Sequence, residues 1–123
     1  MTLNDLRKIA AAEISATIAE LSPPLRPHAE RIPVLCHDHP SPEILGAEFE
    51  PDILGLFVGP AHGDSIGDEV GPPTQILLFL SNLWDYAEHD RETFLDEVHI
   101  TYLHELGHYF GWDEDDLAER DLD

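Results

Sequence analysis

Residues 91–110 have the sequence RETFLDEVHITYLHELGHYF, and this stretch does most to decide the fold. Its apolar residues recur at the three- and four-residue spacing of a single helix face. Asp90 comes directly before it and can cap the first turn, while Gly111 comes directly after it, where a left-handed helix terminus favours glycine. The pattern therefore predicts one long helix that starts at Arg91 and ends at about residue 109 or 110.

The predicted helix has two chemically different faces. An ideal helix turns by about 100° per residue, which places His108 and Thr101 within about 60° of His104. The opposite side carries apolar residues that would face a core: Leu95, Val98, Tyr102, Leu106 and Phe110. Ile100 is the exception, because it is apolar and lies near the histidine face. We expect one face to pack inward while the other displays two imidazoles.

The helix contains the pentapeptide His104-Glu105-Leu106-Gly107-His108, which has the pattern H-E-x-x-H. Residues four apart lie on one helix face, so both imidazoles can reach one metal ion. Zinc is the expected metal, because it accepts nitrogen ligands in tetrahedral geometry. Glu105 lies about 100° around the helix from His104, where it can touch a metal-bound water without binding the metal. That is the position of a general base.

A catalytic zinc site uses three protein ligands, and candidates for the third follow the helix. Gly111 can end the helix and turn the chain back, so that Glu114 can swing toward the metal as an oxygen ligand. Asp113 and Asp116 compete for this role, because the detailed geometry of a turn does not follow from sequence. A non-functional interpretation also stays open: an amphipathic helix whose polar face happens to carry two histidines, followed by a solvated acidic helix.

The rest of the chain alternates short apolar segments with segments rich in proline and glycine. Residues 3–21 have the spacing of an amphipathic helix, and the prolines at 23 and 24 end it. Pro27 is expected to keep the linker that follows irregular. Strands are predicted at residues 32–37, 53–58 and 75–80. Pro33 cannot donate to a sheet ladder, so the first strand should start there or lie at an edge.

The order of these elements predicts the fold class. Ser81 can cap a short helix that ends at about residue 88, and Asp113 can cap a last one that ends near Arg120. A helix, then strands, then helices is typical of an α+β fold with helices packed on a small sheet. A chain of 123 residues is expected to form a single domain, covering residues 1–123.

Two other segments carry residues that could take part in a site. Residues 59–73 form a long loop with four glycines and His62. Loops of that length are usually functional or mobile. This one joins two apolar strands that should lie beside the motif helix, so we expect it to be mobile and to border the metal site. The run Cys36-His37-Asp38-His39 contains possible metal ligands, but a solvated strand end is the simpler interpretation. His99 is expected to be packed or hydrogen-bonded rather than to bind metal.

The composition limits the partners. Six Lys and Arg residues stand against 26 Asp and Glu residues, a formal net charge of -20. This balance disfavours nucleic acids and anionic membrane surfaces and favours basic substrates. The single cysteine, Cys36, cannot form an internal disulfide, which favours a reducing compartment. No apolar run is long enough for a membrane span, and the acidic residues of the first helix argue against a signal peptide. We therefore expect a cytoplasmic protein. Its oligomeric state does not follow from the sequence.

The motif and its neighbours resemble known zinc peptidases. The string H-E-x-x-H-x-x-G-x-x-E resembles the metzincin consensus, with Glu114 in the place of the third histidine. More closely, the chain resembles a family of small bacterial zincin-like metallopeptidases, the minimal zincins. Three segments carry this resemblance, in order: ILGLFVG at 53–59, PTQILLF at 73–79 and HELGHYFG at 104–111. It is good over this later part of the chain and weak before it.

The resemblance implies a compact α+β zincin fold with a small mixed sheet, and zinc on His104 and His108 with an acidic third ligand at position 114. We therefore expect zinc-dependent hydrolysis of a peptide or protein, with Glu105 as general base. Candidates for an oxyanion helper are Tyr102, Tyr109 and His62. Two alternatives remain: a metal-stabilised, non-catalytic binding or adaptor module with the same fold, and a hydrolase of a non-peptide amide or ester.

Overall fold

The computed structural model describes residues 1–42, 51–58 and 74–109 of the chain. These ranges contain four helices and three strands. The helices are α1 (Leu3–Glu20), α2 (Arg26–Arg31), α3 (Leu80–Tyr86) and α4 (Arg91–Tyr109). The strands are β1 (Val34–His37), β2 (Gly55–Val58) and β3 (Gln75–Phe79). The α+β fold with a small mixed sheet is thereby confirmed.

The strand order in the sheet is β1-β3-β2. The central strand β3 is parallel to β1 and antiparallel to β2. Pro33 precedes β1 and accepts a hydrogen bond from the N–H of Ile76 through its carbonyl oxygen, at 3.0 Å. Both expectations for the proline are therefore confirmed, since β1 starts just after it and is an outer strand among those described.

One face of the sheet supplies the core. Val34 and Cys36 of β1 lie opposite Ile76 and Leu78 of β3, and Phe57 of β2 also lies opposite Ile76. All five belong to or pack against the main hydrophobic cluster, which includes residues of α1 and α4. The helices therefore cover this face of the sheet, and α4 lies on it next to β2 and β3.

Helices α1 and α4 lie side by side and run in the same direction. Near their starts, Ile9 and Arg91 line one surface pocket. Further along, the Oγ1 of Thr17 lies 2.8 Å from the Nδ1 of His99. The prediction of a packed or hydrogen-bonded His99 is confirmed. The parallel arrangement places the amino ends of both helices at one end of the described fold and the histidine motif, in the last turns of α4, nearer the opposite end.

Helix α4 begins as the sequence predicted. The Asp90 carboxylate accepts hydrogen bonds from the N–H and the hydroxyl of Thr93, at 2.9 and 2.8 Å. Before it, Glu88 and His89 have φ values of 56° and 62°, the left-handed region that non-glycine residues seldom adopt. This turn joins α3 to α4, and the imidazole of His89 stacks on Trp84 with an interplanar angle of 4°.

Two local predictions were wrong. The segment after α1 contains a helix, α2, because Pro27 falls in its first turn, where a missing N–H breaks no helical bond. Ser81 does not cap α3, because Phe79 occupies the cap position and Ser81 lies inside the helix. The Ser81 hydroxyl instead donates to the Asp38 carboxylate at the end of β1.

Other predictions fall on parts of the chain outside the described residues. These are the loop at 59–73, the helix terminus at Gly111 and the last helix beyond Asp113. Among the described helices, none combines the length and the apolar character that crossing a membrane requires.

Candidate metal centre

The site begins with a close approach between β2 and α4. A Cβ added at Gly55 would lie 2.7 Å from the Cγ2 of Thr101 and 3.1 Å from the carbonyl oxygen of Leu77. A side chain at position 55 would therefore force the strand away from the helix. Glycine here allows backbone and helix to approach closely, which is a recognised role of glycine inside a strand.

Two further contacts continue along the same stripe of α4. The ring of Phe57 meets that of Tyr109 edge-on, with centroids 6.2 Å apart. The carboxylate of Glu105 lies beside the backbone N–H of Phe57, which favours its charged form. Thr101, Glu105 and Tyr109 are successive residues at i, i+4 and i+8, so one line of the helix lies along β2.

The histidines of the motif flank this line. His104, Glu105 and His108 each offer one ligand atom, and these atoms all lie within 4.8 Å of one another. The two imidazole rings are 4.8 Å apart between centroids and nearly perpendicular, at 84°. His104 and Glu105 are half-buried and His108 is exposed. The structure therefore brings together the three described residues that the sequence assigned to the site.

Glu105 occupies an unusual environment for a carboxylate. Burial raises its pKa, while the nearby His104 and the Phe57 N–H act in the opposite direction by favouring the charged form. Its side chain therefore lies between strand β2 and the imidazole of His104. Perturbed carboxylates of this kind are common at functional sites.

The histidine face is narrower than the helical wheel predicted. Thr101 was expected on that face, yet it is only 8% exposed and packs beneath Gly55. The sequence could not show that β2 would cover this flank of the helix. Ile100 is 41% exposed, which confirms that it stands apart from the apolar face.

The described candidates for an oxyanion helper, Tyr102 and Tyr109, differ in their exposure. Tyr102 is completely buried, and its hydroxyl has no hydrogen-bond partner in the described part of the structure. Burial raises the pKa of this phenol to about 12. Its place in the core excludes Tyr102 from contact with a substrate. Tyr109 is half-buried between Phe57 and His28. The third candidate, His62, lies outside the described residues.

The other predicted ligand positions divide into two groups. Glu114 and its rivals Asp113 and Asp116 lie outside the described residues. The segment Cys36-His37-Asp38-His39 is described and does not form a group of three converging ligands. His39 instead contacts the side-chain oxygen of Asn82 at 3.1 Å, on the surface. The interpretation of this segment as a solvated strand end agrees with the structure.

Sequence reasoning missed the part that β2 contributes. The backbone N–H of Phe57 carries no side-chain signature and was not predicted to meet Glu105. Gly55 did offer a signal, because a lone glycine inside an apolar strand often marks a close backbone approach. The glycine did not indicate that Thr101 of α4 would be the residue that approaches it, because that depends on tertiary packing.

Comparison with known proteins agrees with this geometry. A sequence model of the zincin-like metallopeptidase family matches residues 29–123. The matched region runs from the end of α2 through the sheet and α4, and so contains both β2 and the H-E-x-x-H motif. No curated protein matches the chain at a significant level. Since the family match covers most of the chain, the protein belongs to the zincin-like metallopeptidases.

Proposed function

We propose that this protein is a zinc-dependent peptidase in which His104 and His108 bind the metal and Glu105 is the general base. Membership of the family supports zinc-dependent peptidase chemistry in general. The observation that carries the assignment of residues is the convergence of ligand atoms from His104, Glu105 and His108 within 4.8 Å.

The donor set fits zinc better than the other common divalent cations. Two imidazole nitrogens suit zinc, whereas calcium and magnesium prefer sites built from oxygen ligands. A catalytic zinc site with three protein ligands needs one more donor. We propose Glu114 for this role, with Asp113 and Asp116 as rivals, from the spacing of the sequence.

Zinc and Glu105 would carry out different parts of the hydrolysis. When bound, zinc would polarise the scissile carbonyl and lower the pKa of water at the site. Glu105 would accept the proton of the attacking water and pass it to the leaving amine. Burial raises the pKa of this carboxyl, while His104 and the Phe57 N–H favour its charged form. Its place beside the two histidines is compatible with this role.

The sheet offers a place for an extended substrate. The N–H of Phe79 donates to the carbonyl of Leu54 at 3.0 Å. Bonding alternates along an antiparallel ladder, so the backbone groups of Gly55 and Phe57 point away from β3. A peptide could add to this outer side of β2, next to the histidines. The net charge of -20 favours basic peptides.

The test combines metal analysis with digestion of a peptide library by the same preparation. We expect about one zinc per chain in the parent protein and much less in His104→Ala, with cleavage by the parent and none by His104→Ala. His39→Ala is the matched control, since this histidine lies away from the site, and should leave both unchanged. Zinc without cleavage would favour the non-catalytic binding module. A chain that takes up no zinc at neutral pH would contradict both functions.

A further inference from the structure

The catalytic motif does not by itself explain how the Glu105 carboxylate is oriented. A glutamate side chain has several rotatable bonds, and free rotation would spread the carboxylate over many positions. We propose that the backbone N–H of Phe57, on the outer side of β2, is a positioning group that holds this carboxylate beside the histidines. The role of Glu105 as general base rests on the proposed function, but the contact itself does not.

The register of the sheet makes this N–H available. Phe57 lies opposite Ile76 in a pair that does not exchange ladder hydrogen bonds, because the bonded pairs alternate from Leu54 and Phe79. Its N–H therefore points away from β3. No other described strand pairs with that side of β2. Without Glu105 this donor would have no partner among the described residues.

The packing of β2 on α4 brings the donor to the right level of the helix. Gly55 meets Thr101, and two residues further along the strand Phe57 meets Glu105. Two strand residues advance about 6.6 Å and four helical residues advance about 6 Å. Because these distances nearly match, Gly55 can face Thr101 while Phe57 faces Glu105. The close approach at Gly55 thus sets the height at which the Phe57 N–H faces the helix.

The edge-on contact of Phe57 with Tyr109 fixes the other end of this arrangement. Glu105 lies between Thr101 and Tyr109 on the helix, so its carboxylate is enclosed between two packed contacts. An ionised carboxylate has two acceptor oxygens. A hydrogen bond from the strand to one oxygen leaves the other free to turn toward the histidines.

The same contact limits how a peptide can add to β2. Gly55 and Phe57 both direct their backbone groups outward, but Glu105 already occupies the Phe57 donor. An added strand could therefore bond to the N–H of Gly55 and to the outward carbonyls of both residues, but it would find no free donor at the level of Phe57. That level is also where the carboxylate and the histidines lie.

Amide hydrogen exchange, followed residue by residue by NMR, tests the contact without zinc or substrate. In the parent protein the Phe57 amide should exchange about tenfold or more slowly than the Gly55 amide, after correction for intrinsic rates. Gly55 is the internal control, since its N–H has the same outward register. The difference should disappear in Glu105→Ala and persist in Glu105→Gln, which keeps an acceptor oxygen of the same reach.

Two results would overturn the proposal. One is a Phe57 amide that exchanges as fast as that of Gly55 in the parent protein. The other is protection of Phe57 that survives in Glu105→Ala, because the protecting group would then be something else. A parent protein without zinc or hydrolysis would contradict the proposed function, and amide exchange would still decide whether Phe57 holds Glu105.

A kinetic comparison separates positioning from simple structural support. Phe57→Pro removes both the ring and the N–H, whereas Phe57→Ala removes the ring and keeps the N–H. Proline breaks no ladder bond here, because this N–H points away from β3. We expect kcat of Phe57→Pro to be about tenfold or more below that of Phe57→Ala, with KM and zinc content little changed. Equal kcat values would exclude a positioning role.

Discussion

At the scale of single residues, neighbours in the motif have different environments because the helix rotates between them. His104 lies on the open flank of α4, while Glu105, one position later, lies against β2. The H-E-x-x-H spacing was enough to predict that these side chains and His108 come together. It could not predict the partner of Glu105, since a backbone N–H is the same chemical group in every residue except proline.

Glu105→Gln tests the assigned role of the carboxylate. Glutamine keeps the size and helix propensity of glutamate but cannot accept the proton. We expect zinc content and fold to be retained, and hydrolysis to fall by roughly two to four orders of magnitude. Peptide cleavage and elemental analysis on one preparation provide the measurement.

The matched control for this variant is Glu97→Gln. Glu97 is a half-buried glutamate on the same helix that does not belong to the converging ligand group. It should keep the activity of the parent protein. Loss of zinc from Glu105→Gln would show that Glu105 binds the metal, and undiminished cleavage would show that the base is another group.

Tyr102→Phe tests the isolated phenol of the core. A buried polar group without a hydrogen bond opposes folding, so removing the hydroxyl should increase the free energy of unfolding by about 1 kcal/mol. Denaturant unfolding measures this, with the exposed Tyr86→Phe as a control that should show no change. A marked loss of stability in Tyr102→Phe would mean that the hydroxyl has a favourable partner.

At the scale of elements, the sequence predicted what depends on local pattern. The spacing of apolar residues indicated α1 and α4, and short apolar runs indicated the strands to within about two residues. Helix α2 was missed because Pro27 looked like a break, although proline suits a first helical turn. The strands on either side of the 59–73 segment were expected beside the motif helix, and both β2 and β3 pack on α4. The specific contacts of β2 with α4 were not predicted, because packing between distant segments leaves no local pattern.

Gly55→Ala tests the docking of β2 on α4. The new methyl group would lie 2.7 Å from the Cγ2 of Thr101, so the strand or the helix must move. Such overpacking lowers the free energy of unfolding by about 1–3 kcal/mol. Denaturant unfolding measures the loss, and the Phe57 amide should exchange faster as its distance from Glu105 increases.

The double variant Gly55→Ala/Thr101→Ser provides the control for that interpretation. Serine lacks the Cγ2 methyl group that the alanine would meet, so part of the lost stability should return. If the two substitutions are simply additive, the destabilisation of Gly55→Ala arises elsewhere, for example at the Leu77 carbonyl, 3.1 Å away.

The cap of α4 gives a prediction of pH dependence. Hydrogen bonds from the backbone and side chain of Thr93 lower the pKa of the Asp90 carboxyl. A carboxyl whose pKa is lower in the folded state stabilises the fold above its unfolded pKa, and this contribution is lost as the pH falls through the folded value. Asp90→Ala should therefore be less stable than the parent at neutral pH, with the difference shrinking in acid.

Thermal unfolding of both proteins across this range checks the prediction. Asp96→Ala is the matched control, because Asp96 is exposed in the middle of α4 and makes no capping bond in the described structure. It should follow the parent protein at every pH. A difference between Asp90→Ala and the parent that stays constant into acid would show that charge on the cap is unimportant.

At the scale of the whole molecule, charge and helix direction act together. Helices α1 and α4 run parallel, so the negative ends of their dipoles lie toward the same end of the fold. His108 lies in the last turn of α4, at that end. The net charge of -20 adds a field that attracts cations. The composition gives the sign of this field, and the packing of α1 on α4 places both negative dipole ends toward the end that carries His108.

This arrangement predicts that zinc stabilises the folded chain. A ligand that binds the native state alone adds about 2.7 kcal/mol to the free energy of unfolding at a hundredfold excess over its dissociation constant. Thermal unfolding with increasing zinc should therefore show a rising midpoint, reversed by a chelator. His104→Ala should abolish the rise. His39→Ala should keep it, because His39 lies just beyond the carboxyl end of β1 and outside the ligand group. Acid should weaken the effect, since zinc binds the neutral imidazole. An equal rise in His104→Ala would mean that zinc stabilises the protein from a different site, and the α4 histidines would then have to be reassigned.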